Sequence, residues 1–393
     1  MYDVVVVGSG PIGSHVACKM AGMGYDVLVL EKKEKLGGRV ICAGIIGQEC
    51  LSYFAIDDSV VLRHANSAKI FSPSGKLIRL WRKENQAFII DRAAFDLSMF
   101  NKARAAGAEY IFSSKASDIQ VKDDRVVVET ASNSSKLSYD ARVAVIAAGF
   151  GSKLVEKAGL GKIGDSVIGA QAEVEAEDVD EIEVYTGQEV APGFFAWLVP
   201  TSYQKALVGL LSRRSPREHL AKLLSSLKAE GRIDYGDAVI GCRGISIKPP
   251  PKTYSRRLIA VGDAAGQVKP TTGGGIYFGL LSAEIAACNL QRALDKDDLS
   301  ARSLAGYQRQ WKKKLGQELR VCYWARKLYE KMSDQQIDRI FDITATKGID
   351  KALLEADDLS FDWHGRAIVR LARQKALTKA LTTMKIPLRI ALG

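Results

Sequence analysis

An unbroken apolar run, "VVVV" at 4–7, is followed by glycines, a helical stretch and a second apolar run, "VLVL" at 27–30. Continuous runs of this length suit strands buried on both faces of a parallel sheet. Between them "PIGSHVACKMAGMG" (11–24) is predicted as a helix, with Pro11 in its first turn and Gly24 closing it. Two later apolar runs, "RVAVIAAG" (142–149) and "RLIAVGDAAG" (257–266), end in glycine turns. "DRAAFDLSMFNKARAAG" (91–107) has helical spacing behind a capping Asp91. Residues 66–90, 108–140 and 167–210 read as short strands, among them "AKIFSPSGKLIRLW", "RVVVET" and "KALVGLL". From about residue 276 the pattern is almost entirely helical, and no repeat, low-complexity tract or long linker intervenes. The expected fold is α/β, with a nucleotide-binding domain built from separated segments, an interleaved β-rich domain and a helical C-terminus.

Composition narrows the chemistry. The 393 residues, 47% hydrophobic and 26% charged, suffice for two or three domains with a sizeable core. Six cysteines (18, 42, 50, 242, 288 and 322) form no C-x-x-C pair and no zinc or iron–sulfur spacing, and the four histidines are scattered. They read as reduced thiols of a cytoplasmic protein without a metal site. The expectation is of no signal peptide, and no run reaches the ~18 apolar residues that span a bilayer. The net charge of +11 is unevenly placed: from Trp363 onward there are seven Lys or Arg and no acidic residue.

"GSGPIG" (8–13) fits G-x-G-x-x-G after a strand and at the opening of a helix, the context that gives the pattern its meaning. Gly8 allows the tight turn, Gly10 the approach of a pyrophosphate, and Gly13 close helix–strand packing. The helix then offers free N–H groups to phosphates. Glu31 follows the second strand, 18 residues past Gly13, where a carboxylate would accept both ribose hydroxyls and disfavour a 2′-phosphate. "GLGKIG" (159–164) fits the same pattern but lacks the flanking strand and helix, so it is read as a loop. One dinucleotide site therefore remains, for a tightly bound cofactor.

"VGDAAGQVKPTTGGGIYFG" (261–279) points to which dinucleotide. Asp263, after Gly262, is placed to hydrogen-bond a polyhydroxyl chain. The triple glycine 273–275 opens a helix whose N–H groups suit an electron-rich ring edge, such as that of reduced flavin.

Together "GSGPIG", Glu31, "GGR" (37–39), "DRAAFD" and "GDAAG…PTTGGGI" resemble the flavoprotein superfamily of the p-hydroxybenzoate hydroxylase fold. Within it the chain resembles the geranylgeranyl reductase family of FAD-dependent prenyl reductases, over roughly residues 1–300. The resemblance implies an FAD-binding domain from 1–62, 88–165 and 254–300, a β-rich substrate domain from 63–87 and 166–253, and a helical region 301–393. It implies FAD contacts at Gly8, Gly10, Pro11, Ile12, Gly13, Glu31, Lys32, Gly38 and Arg39. It extends them to Cys42, Ala43, Gly44, Arg92, Gly262, Asp263, Gly274, Gly275 and Ile276. "FFAWLVP" (194–200) resembles the aromatic-x-Trp-x-x-Pro motif of the lipid pocket, giving Phe195, Trp197 and Pro200 as substrate contacts. Two departures matter. Ala148 stands where the hydroxylases carry the Asp of an Asp-Gly motif, which weighs against direct NADPH use. Phe195 replaces the motif's tyrosine, so no hydroxyl-dependent role can sit there.

The implied activity is saturation of isoprenoid C=C bonds, by hydride transfer from flavin N5 plus protonation. Its substrate would be an archaeal-type geranylgeranylated ether phospholipid or a prenylquinone. An isolated alkene has no carbonyl to polarise, so the protein's part is an apolar pocket, alignment and a proton source. Phe194, Phe195, Trp197 and Leu198 suit the pocket, although Trp197 also reads as ordinary core. Cys42, in "VICAGIIG" (40–47), has two readings: a small buried hydrophobe, or a thiol at the flavin acting as catalytic residue. Cys50 reads as core.

The resemblance calls for an external electron donor, a ferredoxin-like or other reduced carrier or NAD(P)H. In "HGRAIVRLARQKALTKALTTMKIPLRI", Arg366, Arg370 and Arg373 share a helix face, with Ile368, Leu371, Ala372, Leu377 and Leu381 largely elsewhere. That segment suits an anionic membrane surface or a charged face over the core. No nucleic-acid motif accompanies the charge. The competing classes are an FAD monooxygenase or halogenase, a flavoprotein passing electrons to quinone, and a non-catalytic flavin-binding module.

Overall fold

The two leading apolar runs, Tyr2–Val7 (β1) and Val27–Leu30 (β2), pair in parallel, with the helix Pro11–Gly22 (α1) between them in sequence. The structure, a computed structural model, describes residues 1–131, 136–202, 204–349, 354 and 360–374. The chain divides into two compact units. The first comprises Met1–Val40, Arg92–Ser166 and Ile245–Gln317; the second comprises Ile41–Asp91, Val167–Gly244 and the described residues from Glu318 onward.

The sheet of the first unit runs Tyr254–Ser255 (β18), Leu258–Ala260 (β19), Lys136–Ile146 (β11), β1, β2, Glu109–Ile111 (β8). From β19 to β8 the pairings are parallel. The first half of β11 instead pairs antiparallel with Val126–Ala131 (β10), which pairs with Lys115–Val121 (β9). Val5, Val7, Leu28, Leu30, Ala144 and Ile146 fill its core without exposed surface to speak of, which is why these strands read as unbroken apolar runs. Helix α1 packs against Arg92–Ala105 (α3) and Ile276–Asp295 (α6). The second glycine pattern, 159–164, is a loop behind the one-turn helix Leu154–Lys157 (α4), as its flanks predict.

The second unit is built on a sheet ordered Ile233–Asp234 (β16), Asp165–Ala176 (β12), Lys205–Ser212 (β15), Phe195–Ser202 (β14), Ile182–Thr186 (β13), Ser67–Phe71 (β5), Leu77–Trp81 (β6), with Gly241–Lys248 (β17) also on β12. Strand alternation gives this sheet two different faces. Ala172, Val174, Ala196, Leu198, Val208 and Leu210 pack under Leu220, Leu223, Leu224 and Leu227 of the helix Pro216–Ala229 (α5). The other face carries Val199 and Ile182 against Ile89, with Val184, Trp197 and Leu207 beside them. Ile89 belongs to a small sheet of Ile45–Gly47 (β3), Ala87–Ile90 (β7) and Val61–Ala65 (β4), followed from β3 by Gln48–Tyr53 (α2).

The described part of the C-terminal region is helical, as its spacing predicts: Ala301–Tyr329 (α7), Asp334–Thr346 (α8) and Gly365–Arg373 (α9). The expected basic segment is described as far as Gln374; Leu377, Leu381 and the basic residues from Lys375 onward lie outside the described residues. No helix among the described residues is long and apolar enough to cross a membrane.

Candidate active site

In the first unit, the glycines and the acidic residues expected to hold a nucleotide sit at strand ends. Gly8 follows β1 with φ +108°, and a Cβ there would meet the Ala147 carbonyl oxygen at 2.5 Å. A Cβ on Gly13 would stand 1.9 Å from the Gly8 oxygen, so the helix approaches the strand as closely as backbones can. Gly10 differs: nothing lies within 4 Å of its missing Cβ. It caps α1 with no side-chain cap and no acidic residue in the first turn, leaving open space before free N–H groups. That cradle fits a pyrophosphate.

Glu31 is buried, and its carboxylate is already engaged. Oε2 accepts from the Ser9 N–H at 2.9 Å and the Ser9 hydroxyl at 2.7 Å; Oε1 accepts from the Lys33 N–H at 2.9 Å. A carboxylate offers roughly four acceptor sites, so these bonds aim the group while leaving it capacity for a ribose hydroxyl. Lys32, Gly38 and Arg39 lie in the exposed loop that follows. Arg92 opens α3 with its side chain largely buried, 2.7 Å from Asp96 one turn on.

The second glycine cluster is equally tight. A Cβ on Gly275 would meet Asp263 Oδ1 at 2.7 Å, and one on Gly262 would meet Ile12 at 3.2 Å. Helix α6 begins at Ile276 with Gly275 as its cap and no acidic residue in its first turn. The turn is supported from behind. Gln267 accepts from the Gly262 N–H at 2.8 Å and donates to the Tyr307 hydroxyl at 2.7 Å, which donates to the Ala260 carbonyl at 2.8 Å. Burial pushes the Tyr307 phenol well above its usual range, so it stays neutral.

Lys269 completes this corner and is absent from the sequence expectations. It is 4% exposed, its Cε would lie 3.2 Å from a Cβ on Gly274, and its Nζ stands 5.9 Å from the Phe278 ring centre. Its signal was available: it is the one charge between Asp263 and Glu284.

Cys42, Ala43 and Gly44 belong to the second unit. The Gly44 N–H lies 3.4 Å from Cys42 Sγ, Gly44 has φ +68°, and its carbonyl accepts from the Ile90 N–H at 2.9 Å. The Cys42 carbonyl accepts from Gln171 Nε2 at 3.3 Å. Of the aromatics expected to line a pocket, Phe195 and Trp197 share one face of β14 and their rings are 6.0 Å apart. Leu198 faces the other way, into the core under α5, because neighbours in a strand alternate. Phe194 is buried beneath the Arg326 guanidinium, 3.2 Å from its ring centre. Pro200 is buried where β14 bulges before Ser202. Cys50 is fully buried.

Comparison with known proteins agrees with this geometry. A family model for an NAD(P)-binding Rossmann-like domain matches residues 6–83, and one for tryptophan halogenase matches residues 48–323. The fold aligns with a geranylgeranyl bacteriochlorophyll reductase-like protein from Thermoplasma acidophilum at TM-score 0.85, 24% identity and 98% coverage of both chains. It aligns with a flavin-dependent brominase triple mutant at TM-score 0.71 and 16% identity, covering 98% of this chain and 99% of that one. The fold and the glycine cradles define an FAD-dependent flavoprotein oxidoreductase. The digeranylgeranylglycerophospholipid reductase of Methanocaldococcus jannaschii is 33% identical over 360 residues, covering 86% of this chain and 90% of that protein. Reductase 2 of Methanopyrus kandleri is 30% identical over 390 residues, covering 95% of each. The chain belongs to this geranylgeranyl reductase family.

Proposed function

We propose that the protein saturates isoprenoid double bonds of prenyl lipids, with an archaeal-type geranylgeranylated ether phospholipid as substrate and a prenylquinone side chain as the close variant. The observation that carries this reading is the likeness, over most of the chain, to digeranylgeranylglycerophospholipid reductases. Reduction of one alkene consumes two electrons and two protons, delivered as a hydride and a proton. Bound FAD supplies the reducing equivalents. Gly8–Gly13, Glu31, Arg92 and the 262–276 turn would hold the cofactor, and Phe195 and Trp197 would contact the lipid. Cys42 is the proposed proton donor: its S–H bond breaks as the second C–H bond forms, and solvent restores the thiol. A neutral alkene offers the protein no charge to hold, so an apolar surface that excludes water is what such a substrate needs.

Electrons reach the protein from an external carrier, either ferredoxin-like or NAD(P)H; Ala148, at the position of the hydroxylases' Asp, favours the former. Arg366, Arg370 and Arg373 are all exposed on α9, while Ala367 on the same helix is buried. That stripe suits the anionic headgroups of the membrane in which the substrate resides, on its cytoplasmic side.

The test is anaerobic. The FAD-loaded protein is reduced chemically and given geranylgeranylated phospholipid, and the lipid is weighed by mass spectrometry. Gains in steps of two hydrogens with reoxidation of the flavin are expected. Unchanged lipid beside fully reduced flavin argues against the reading, and oxygen-dependent consumption of reductant would turn it toward the halogenase class. Cys42→Ala should keep its FAD and lose turnover on the order of 10²-fold, the usual worth of a general acid.

A further inference from the structure

The proposed reaction needs the Cys42 thiol held in one place, and the second unit contains a side chain built to do this. We propose that Gln171 is a positioning residue for Cys42. The proposal rests on the reductase reading given above.

Gln171 sits in the middle of β12, where register places it opposite Gly209, which in turn lies opposite Trp197. Residues directly opposed across antiparallel strands send their side chains to the same face. Gln171 therefore shares a face with Trp197, turned away from the leucines of α5. It is only 4% exposed. Its Nε2 donates to the Cys42 carbonyl at 3.3 Å. A carbonyl only accepts, so this bond fixes which end of the amide is nitrogen and leaves Oε1 pointing elsewhere.

That Oε1 is buried with no hydrogen-bond partner among the described residues, and so is the indole Nε1 of Trp197. A buried polar atom left unpaired costs roughly 1–3 kcal/mol, so a residue kept only for packing would be apolar here. The two orphans are an acceptor and a donor on one sheet face, on the strands either side of Gly209. Each is an atom that a hydroxylic group, water being the smallest, can satisfy. The same turn is also tied within itself, from the Gly44 N–H to Cys42 Sγ at 3.4 Å, and to β7 through the Ile90 N–H on the Gly44 carbonyl at 2.9 Å. Gln171 thus clamps the peptide that carries the thiol, from the same face that presents Trp197.

Gln171→Met keeps length and volume but loses the donor; Gln171→Glu keeps the shape and loses it too. Both are expected to lower kcat for lipid reduction about tenfold while KM stays within about twofold, as misplacement of a reacting group does. Both should also change the rate at which iodoacetamide alkylates Cys42 by about threefold or more. The rate is read on the Cys42 peptide by mass spectrometry, with the exposed Cys242 as internal reference. Wild-type kcat together with an unchanged Cys42 alkylation rate in either folded variant overturns the proposal. The alkylation arm needs no lipid. Failure of the wild-type protein to reduce lipid would count against the reductase reading alone, and a shifted Cys42 rate would still stand for Gln171.

Discussion

The indole of Trp197 lies against Gly209 of the adjacent strand: a Cβ at that glycine would stand 2.4 Å from Cζ2 and 2.5 Å from Cε2. The two residues are register partners, so the missing side chain is what lets the ring rest against the sheet. Gly209→Ala must push the indole outward, because the same Cβ would also meet the Ala170 carbonyl oxygen at 2.8 Å. Overpacking of this kind costs roughly 1–3 kcal/mol. The expected outcome is a rise in KM for the prenyl lipid of about tenfold, with FAD content preserved and only a modest fall in Tm. An unchanged KM would remove Trp197 from the lipid-binding surface.

Much of the first unit was legible because its signals are local. A strand, a glycine turn and a helix N-terminus are written consecutively in 2–24, and the second cluster in 258–295 repeats that logic. The second unit was harder. By alternation Gln171 shares a face with Glu173 and Glu175, both exposed, so its polarity alone reads as solvent-facing. Its burial comes from the Cys42 turn, some 130 residues away in sequence, and no local pattern encodes that contact. The same limit applies to Leu198: its composition suits a pocket, but one step along a strand turns it onto the other face. The support of Gly262 by Gln267 and Tyr307 is also long-range, and so unreadable from either segment alone.

Asp362 offers a test of how the C-terminal segment is fastened. Its buried carboxylate accepts from the N–H groups of Gly47 at 3.2 Å, Glu49 at 3.1 Å and Cys50 at 3.2 Å, at the start of α2. A Cβ on Gly47 would be 2.2 Å from that carboxylate, which explains the glycine. Hydrogen bonds to a charged group are worth about 1.5–3 kcal/mol. Asp362→Asn should therefore destabilise the protein by about 2 kcal/mol in denaturant unfolding. It should also accelerate hydrogen exchange at Gly47–Cys50, while exchange in β1 and β2 stays as it was. Unaltered exchange at Gly47–Cys50 would contradict this account.

A pH dependence follows from Glu284 on α6. His15 Nε2 lies 2.8 Å from one carboxylate oxygen and Lys19 Nζ 3.0 Å from the other, tying α6 to α1. Hydrogen bonds from His15 and then Lys19 outweigh burial and hold this carboxyl well below its ordinary value of 4.5, at about 2. A depressed carboxyl contributes stability above its unfolded value and loses it as pH falls through the folded one. The contribution is thus full near neutrality and fades between about pH 5 and pH 2. Allowing for solvent screening of the exposed Lys19, it is roughly 1–2 kcal/mol. Glu284→Gln should be less stable than wild type by that amount at pH 7, and the two should converge near pH 2–3 in denaturant titrations. A gap that persists at pH 2 would assign the effect to packing.

The last prediction concerns Lys269 and the flavin. A buried ammonium beside Gly274 and the start of α6, whose first turn holds no acidic residue, puts two sources of positive potential at one place. Both favour a ligand that gains negative charge on reduction, as a flavin ring does at its N1 edge. Lys269→Met should therefore lower the midpoint potential of the bound FAD, and Lys269→Arg should lower it less. For a two-electron couple ~30 mV corresponds to ~1.4 kcal/mol, and a fall of at least that size is expected for a desolvated charge in contact with the ring. Spectroelectrochemical titration of the FAD-loaded variants measures this without any lipid. A potential that does not move would place the ammonium away from the ring. Lys269 would then be a support for the triple-glycine turn, and the variant's defect would appear as weaker FAD retention.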